Sequence, residues 1–562
     1  MPSHVVVECL DCGYRSQFSV TGNSCPNCGG QWREARYDLD MLRQKYPQVI
    51  KNRSFNLWRY KELLPVNGPY PAVFMGEGGT PLIQASNLGL MLGCPYIFIK
   101  DERQGPTSSF KDRQAAVNIT ALKDAGISEA VLASTGNVAI AFSAYAARAG
   151  IKLWTFLTSL VPSEKMREVA LYGSQVVKVT ASYDQTKLVA AEFARQRGLY
   201  IERGSRSIPS VEAMKTIAYE ISEQLTDYLG REVHAASRGS HTVWHAPDWY
   251  IQAVSGGLGP HGVQKGFIEL HQMGLIDKVP AMASIQVEGC SPMVQAWRQD
   301  LTVAEPLKTP RTHITTLATG DPGRTYTLLR ERMMQYGGGL FESVTDEEAY
   351  RAIHIIAKME GLSIEPATGV AFAGLIKMVR LGVLKPTDVI VVNCSGHTMP
   401  VEELILGDGW SRDLEVSPQA LKETPEEGLF SALSRVTSER FSRVLVVDDT
   451  PDARRLICRI LQSQGKYTLY EASNGREAID LAKRDLPDLI ILDLMMPEVD
   501  GFEVLDTLKD DPHTALIPVI VVTAKELTKE EKARLQGRIQ TLMQKGEFLN
   551  DDLLEEVTSL IE

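Results

Sequence analysis

Between residues 90 and 400, short apolar runs rich in β-branched and aromatic residues alternate with longer stretches of helical period. The clearest runs are 96–100, 130–133, 152–156, 175–179, 249–254 and 389–392. They have strand length, and the stretches between them have helix length. That alternation predicts an α/β fold with mostly parallel sheets wrapped by helices. The strands between 130 and 180 are expected to form one lobe and the later ones another. Helical pattern is read over 114–124 and 138–150. A second alternation starts at Phe441, with apolar runs at 443–447, 489–492 and 519–522 and a further strand ending near Gln544. About 120 residues of strand and helix in that order predict a flavodoxin-like domain. The stretch 401–440 is acidic, then rich in Pro, Glu and Ser, and reads as a connector.

Length and composition refine this division. A chain of 562 residues is too long for one core. The boundaries are placed at 1–40, 41–410, 411–441 (linker) and 442–562. Apolar content of 44% and charged content of 23% are those of a globular protein. A net charge of −11 argues against a general nucleic-acid binder. No run of about 18 apolar residues and no apolar signal core is present. The expectation is a cytoplasmic protein with no membrane segment.

Of the 8 cysteines, four are clustered as Cys9-Leu10-Asp11-Cys12 and Cys25-Pro26-Asn27-Cys28. Two CxxC pairs with twelve residues between them can close a tetrahedral thiolate site, so residues 1–40 read as a structural zinc ribbon. The alternatives are two disulfides or a ribbon without metal. Cys94, Cys290, Cys394 and Cys458 read as small buried apolar groups. Residues 228–248 carry His234, His241 and His245 in polar surroundings and read as a solvated insertion.

Lys111 follows the 96–100 strand and opens a helical run, which places it at the mouth of an α/β sheet. Its amine can form a Schiff base with pyridoxal phosphate, or it is an ordinary surface lysine. Three other strand ends suit that cofactor. Ser134-Thr135-Gly136-Asn137 can present an amide to a flat ring. Ser255-Gly256-Gly257-Leu258-Gly259 can close backbone N–H groups around a phosphate at a helix start. Ser395 can hydrogen-bond a pyridine nitrogen without protonating it, which suits elimination and replacement better than transamination. In the second alternation, Asp448, Asp449 and Asp493 end strands and suggest a hard-cation site, with Thr523 and Lys545 at two further strand ends.

Residues 1–410 resemble threonine synthases and their relatives in the tryptophan-synthase-β-like group, fold type II of the pyridoxal phosphate enzymes. The matching stretches include Gly76-Glu77-Gly78-Gly79-Thr80-Pro81-Leu82, Ser109-Phe110-Lys111-Asp112-Arg113, Ser134-Thr135-Gly136-Asn137 and Glu365-Pro366-Ala367-Thr368. The resemblance implies a lyase converting O-phosphohomoserine and water to threonine and phosphate. It makes Lys111 the Schiff-base lysine, sets Asn137 at the ring hydroxyl, 255–259 at the phosphate and Ser395 at the ring nitrogen. Ser109, Arg113 and Lys215 are candidate substrate contacts. The sequence departs from the family at Gly105-Pro106-Thr107-Ser108-Ser109, where Asn-Pro-Thr-Gly-Ser is usual, and at 208–212, where an Asn-Pro-Tyr-Arg type stretch is usual. A paralogue acting on phosphoserine or serine, or a non-catalytic ligand sensor, is the alternative.

Residues 443–562 resemble response-regulator receiver domains. By that match Asp448, Asp449 and Asp493 hold Mg²⁺, Asp493 accepts a phosphoryl group, and Thr523 and Lys545 contact it. Leu542 stands where the family has an aromatic switch residue. The implied partners are a small amino-acid substrate, a histidine kinase or phosphotransfer protein, and a second copy in a homodimer. The enzyme unit is then the output governed by the receiver.

Overall fold

Val6–Cys9 (β1) pairs antiparallel with Arg15–Gln17 (β2) and Arg33–Arg36 (β3) in the computed structural model of the chain. The residues described are 4–46, 48–67, 71–134, 136–158, 161, 163–180, 183–233, 244–397, 442–462, 467–525, 527–545 and 550–561. A sheet this small buries little by itself. Its apolar side (Val5, Val7, Phe18, Ala35) is completed by Ile208.

Leu82–Gln84 (β4) and Ile97–Asp101 (β5) begin a larger sheet. Glu129–Ser134 (β6), Lys152–Thr158 (β7), Gln175–Val179 (β8) and Tyr200–Ile201 (β9) form a separate parallel one, in the order β8-β7-β6-β9. Trp249–Ala253 (β10), Ala281–Val287 (β11), Gly339–Val344 (β12) and Ile390–Cys394 (β13) return to the first, in the order β12-β11-β10-β13-β5-β4. Only β4 runs antiparallel to its neighbour. The two-lobed reading therefore holds, with β5 joining the later strands. β5 and β13 are buried at every residue. A parallel strand covered on both faces reads as one apolar run, which is why the sequence announces it. β11 is not among the clearest apolar runs, because Ser284 and Gln286 interrupt it although both are buried.

Two helices start where the chemistry was expected, both earlier than the periodicity suggested, by three residues and by one. Lys111–Asp124 begins at Lys111 itself, and Asn137–Ala149 begins at Asn137. The helix Ile208–Val233 runs into the stretch read as a solvated insertion. His245 returns to that helix, its backbone N–H donating to the Thr226 hydroxyl at 2.9 Å. His234 and His241 lie outside the described residues, as do the linker 411–441 and residues 401–410.

Ser442–Val447 (β14), Tyr467–Ala472 (β15), Leu489–Leu492 (β16), Val519–Thr523 (β17) and Thr541–Gln544 (β18) form an all-parallel sheet in the order β15-β14-β16-β17-β18. Apolar clusters cover both faces of this flavodoxin-like unit. It belongs to a second compact unit, apart from the one holding the earlier sheets. Among the described residues no helix is long and apolar enough to cross a membrane.

Candidate functional site

Lys111 is the first residue of its helix and is half-buried at the carboxyl end of β5. Burial lowers its amine from the ordinary range to about 8, against the pull of the Glu365 and Glu202 carboxylates. The amine lies 4.0 Å from the centre of the Phe110 ring. A partly neutral lysine at neutral pH is the state a nucleophilic or proton-moving amine requires.

The loop before Lys111 is stitched to the end of β13. The Phe110 N–H donates to the Ser395 carbonyl at 3.0 Å, and the His397 N–H to the Ser108 carbonyl at 3.1 Å. Ser109 and Gly396 form an isolated bridge. Ser108 has φ +57°, the left-handed conformation for which the usual glycine is suited. A serine in that conformation carries a steric cost of roughly 1–2 kcal/mol. The Ser109 hydroxyl is buried beside the lysine and finds no protein partner among the described residues.

One carboxylate gathers the residues expected around the ring. The Asn137 side-chain N–H donates to Glu365 Oε2 at 2.7 Å, and the Ser395 hydroxyl donates to Glu365 Oε1 at 2.8 Å. The Thr368 and Ser395 hydroxyls share a hydrogen bond of 2.8 Å. Neither Glu365 nor Thr368 was assigned a role from sequence. The sequence places both in the stretch Glu365-Pro366-Ala367-Thr368 that resembles the family, and Glu365 immediately precedes the helix that opens with Pro366. The Lys165 amine reaches Asn137 Oδ1 at 3.5 Å and has no carboxylate partner among the described residues.

The 255–259 stretch has the shape of a phosphate cradle. Gly257 has φ +87° and caps the helix Leu258–Gln272, whose first N–H groups have no partner inside the helix. A Cβ on Gly257 would lie 2.7 Å from the Thr325 methyl, and one on Gly259 would lie 2.5 Å from the Gln252 amide nitrogen. The Ser255 hydroxyl donates to Thr319. The lysine, the orphaned Ser109 hydroxyl, the amide of Asn137 and this cradle fit pyridoxal phosphate.

Arg113 and Lys215 do not join this site, which corrects the reading of them as substrate contacts. Arg113 is buried, and its N–H groups are all engaged by Glu102, Glu220, Thr80 and Thr216. Lys215 is buried between Glu212 and Glu269, with its amine 4.1 Å from the centre of the Tyr37 ring. Both are structural cations.

The four cysteine sulfurs of the ribbon lie within 4.8 Å of one another. Cys9 and Cys28 are 3.6 Å apart, and Cys12 and Cys25 are 3.7 Å apart. A tetrahedron with zinc–sulfur bonds of ~2.3 Å has edges of about 3.8 Å, whereas a disulfide is ~2.05 Å. The spacing fits a metal and rejects both disulfides. The scattered Cys94, Cys290, Cys394 and Cys458 are buried, as expected.

In the second unit Asp448, Asp449 and Asp493 bring carboxylate oxygens within 4.8 Å of one another, an arrangement suited to a hard cation. Lys545 bridges Asp448 and Asp493 at 2.6 Å each. Burial opposes its charge, but the two carboxylates outweigh burial and raise its pKa. Burial also raises Asp448. Thr523 is buried at the end of β17, and the Lys545 N–H donates to its carbonyl at 2.9 Å. Leu542, at the switch position, is 41% exposed.

Residues 73–396 match the family "Pyridoxal-phosphate dependent enzyme", and residues 444–558 match the "Response regulator receiver domain". Threonine synthase of Methanocaldococcus jannaschii is 32% identical over 392 residues, 69% of this chain and 91% of that protein. Threonine synthase of Methanosarcina acetivorans is 28% identical over 407 residues, 71% of this chain and 93% of that protein. That of Mycobacterium bovis is 31% identical over 366 residues, 65% and 92%.

Proposed function

Because this chain belongs to the pyridoxal-phosphate dependent enzymes, in the threonine synthase family, and carries a response regulator receiver domain after its enzyme unit, we propose that it converts O-phosphohomoserine and water to threonine and phosphate under control of the receiver. The observation that carries the catalytic half is the Lys111 amine, held near pKa 8 at a helix start beside the Asn137–Glu365–Ser395 cluster. When bound, the cofactor supplies an electron sink at the substrate's α carbon. Lys111 would hold it covalently and, once the substrate amine has displaced it, would move protons at the α and β carbons. Asn137 would orient the ring, Ser395 would hydrogen-bond its nitrogen, and residues 255–259 would take the phosphate. Glu365 sets the geometry of the first two. With Arg113 and Lys215 committed elsewhere, Lys165 is the cation beside Asn137 that would meet the leaving phosphate.

In the receiver, Asp448, Asp449 and Asp493 would hold Mg²⁺, and Asp493 would accept a phosphoryl group from a histidine kinase or phosphotransfer protein. The added charge would then offer Lys545 and Thr523 a new partner. We place the protein in the cytoplasm, as a homodimer with a zinc-bearing ribbon.

The commitment of Arg113 and Lys215 favours one second reading, a paralogue whose amino-acid substrate is of the phosphoserine or serine type. Incubating the holoenzyme with O-phosphohomoserine, phosphoserine, serine or homoserine and assaying phosphate, threonine and 2-oxo acid separates the two. Threonine and phosphate in equal amounts are expected. Turnover of another amino acid alone would transfer the assignment to it. Acetyl phosphate is expected to change that rate in wild type and not in Asp493→Ala; equal rates throughout would remove the regulatory half.

A further inference from the structure

The thiolate cluster lies outside the lysine site, yet a path of contacts joins the two. Asp11 stands between Cys9 and Cys12, and its carboxylate pairs with Arg324. The same carboxylate lies against Gly30 so closely that a Cβ there would overlap it, beside the Cys28 sulfur. Asp11 is thereby held by both knuckles. Arg324 also donates to the Leu10 carbonyl at 3.4 Å. A Cβ on the neighbouring Gly323 would come within 3.8 Å of the Trp32 ring.

Arg324 immediately precedes the helix Thr325–Gln335. Thr325, the next residue, is the one whose methyl sets how closely Gly257 approaches, and Thr319 holds the Ser255 hydroxyl. Further along that helix Arg332 pairs with Glu34 of β3 at 2.5 Å and donates to the His261 carbonyl at 3.3 Å. His261 lies in the first turn of the helix that follows the cradle. The ribbon thus grips this helix at two points, and the helix forms one wall of the 255–259 loop.

We propose that Arg324 is a positioning residue: closure of the ribbon's thiolate site by zinc fixes Asp11, Asp11 fixes the 319–325 segment through Arg324, and that segment shapes the loop for the cofactor's phosphate. The proposal rests on the assignment of 255–259 to phosphate. Four sulfur–metal bonds set the knuckle geometry with a large binding free energy. The Asp11–Arg324 pair is partly exposed and contributes little stability of its own. Its loss therefore acts on the shape of the loop rather than on the fold, and metal content and cofactor affinity become linked quantities.

The test uses the full chain, with zinc measured by metal analysis and the dissociation constant of pyridoxal phosphate by equilibrium dialysis. Arg324→Ala is expected to keep its zinc and weaken pyridoxal phosphate binding about tenfold. Asp11→Asn, which keeps the packing on Gly30, is expected to do the same. Chelating zinc from the wild type should weaken binding to a similar degree, and should add less than about twofold in Arg324→Ala. Arg15→Ala, which breaks an exposed pair within the ribbon, should leave affinity unchanged. Unchanged affinity in both zinc-retaining variants, Arg324→Ala and Asp11→Asn, would overturn the proposal, as would fully multiplicative effects of chelation and substitution. If the wild type binds no pyridoxal phosphate, the loop assignment falls, and the proposal with it.

Discussion

Lys111 and Lys545 both follow the carboxyl ends of parallel strands, where ligands bind in open α/β sheets. Lys111 has burial around it and carboxylates only at longer range, and its amine falls to about 8. Lys545 touches two carboxylates at 2.6 Å and its amine is raised. Arg113 stands only two residues past Lys111, yet although burial opposes its charge, the Glu102 and Glu220 carboxylates outweigh burial and raise its pKa well above the ordinary value. The difference shows how one sheet edge can make a reactive amine and another a stationary cation. What decides is whether an acid stands within hydrogen-bond reach.

That contrast can be broken in several ways. Lys111→Ala should lower turnover about 10³-fold or more and abolish the visible absorbance of the lysine-linked cofactor. A variant that kept both would place the reactive amine elsewhere. Arg113→Ala should leave Glu102 and Glu220 buried and underpaired and cost about 3–5 kcal/mol in urea unfolding. A raised KM with unchanged stability would return Arg113 to the substrate. Lys545→Ala should destabilise the receiver unit by about 2 kcal/mol, read from its thermal transition. It should also raise the Asp448 carboxyl further, because Lys545 is what pulls it down.

The smallest effect concerns pH. On the proposed function the neutral amine of Lys111 is the nucleophile, and burial lowers its pKa. The rate at which apoenzyme captures pyridoxal phosphate should therefore rise with pH and level off above about 8. Glu365→Gln removes a charge that holds the proton on, so the midpoint should move to lower pH. Stopped-flow absorbance across the pH range measures both, and a midpoint near the ordinary lysine value would mean that burial does not act as described.

Much of this was legible in the chain. The strand ends bearing Asn137, Ser395 and Asp493, and the strand before Lys111, follow apolar runs that prove to be buried strands, and the two CxxC pairs point to a closed thiolate site, which the sulfur spacing fits. Arg113 was misread although its spacing carried the answer. Residues two apart on a helix point about 200° apart, so a cation next to Lys111 in sequence faces away from it. Lys215 was misread for a different reason. It lies in a 26-residue helix, and the acids that bury it come from that helix and from Glu269. Glu365 was missed because only the fold brings it between Asn137 and Ser395. β11 was missed because hydrogen-bonding side chains such as Gln286, which accepts from the Met293 N–H at 2.9 Å, disguise a buried strand.

The stitch between Ser108–Phe110 and Ser395–His397 has a consequence for how the protein is made. β13 is inserted between β10 and β5 and is the last strand of its sheet to be synthesised. Until it docks, the Lys111 loop lacks the backbone partners that hold it, and the carboxyl end of β5 is open along one edge. A nascent chain on the ribosome thus carries the lysine for nearly the whole translation of the enzyme unit without a finished place for the cofactor. On the proposed function, loading of the cofactor becomes a late checkpoint in biogenesis, reached only after Ser395 has emerged.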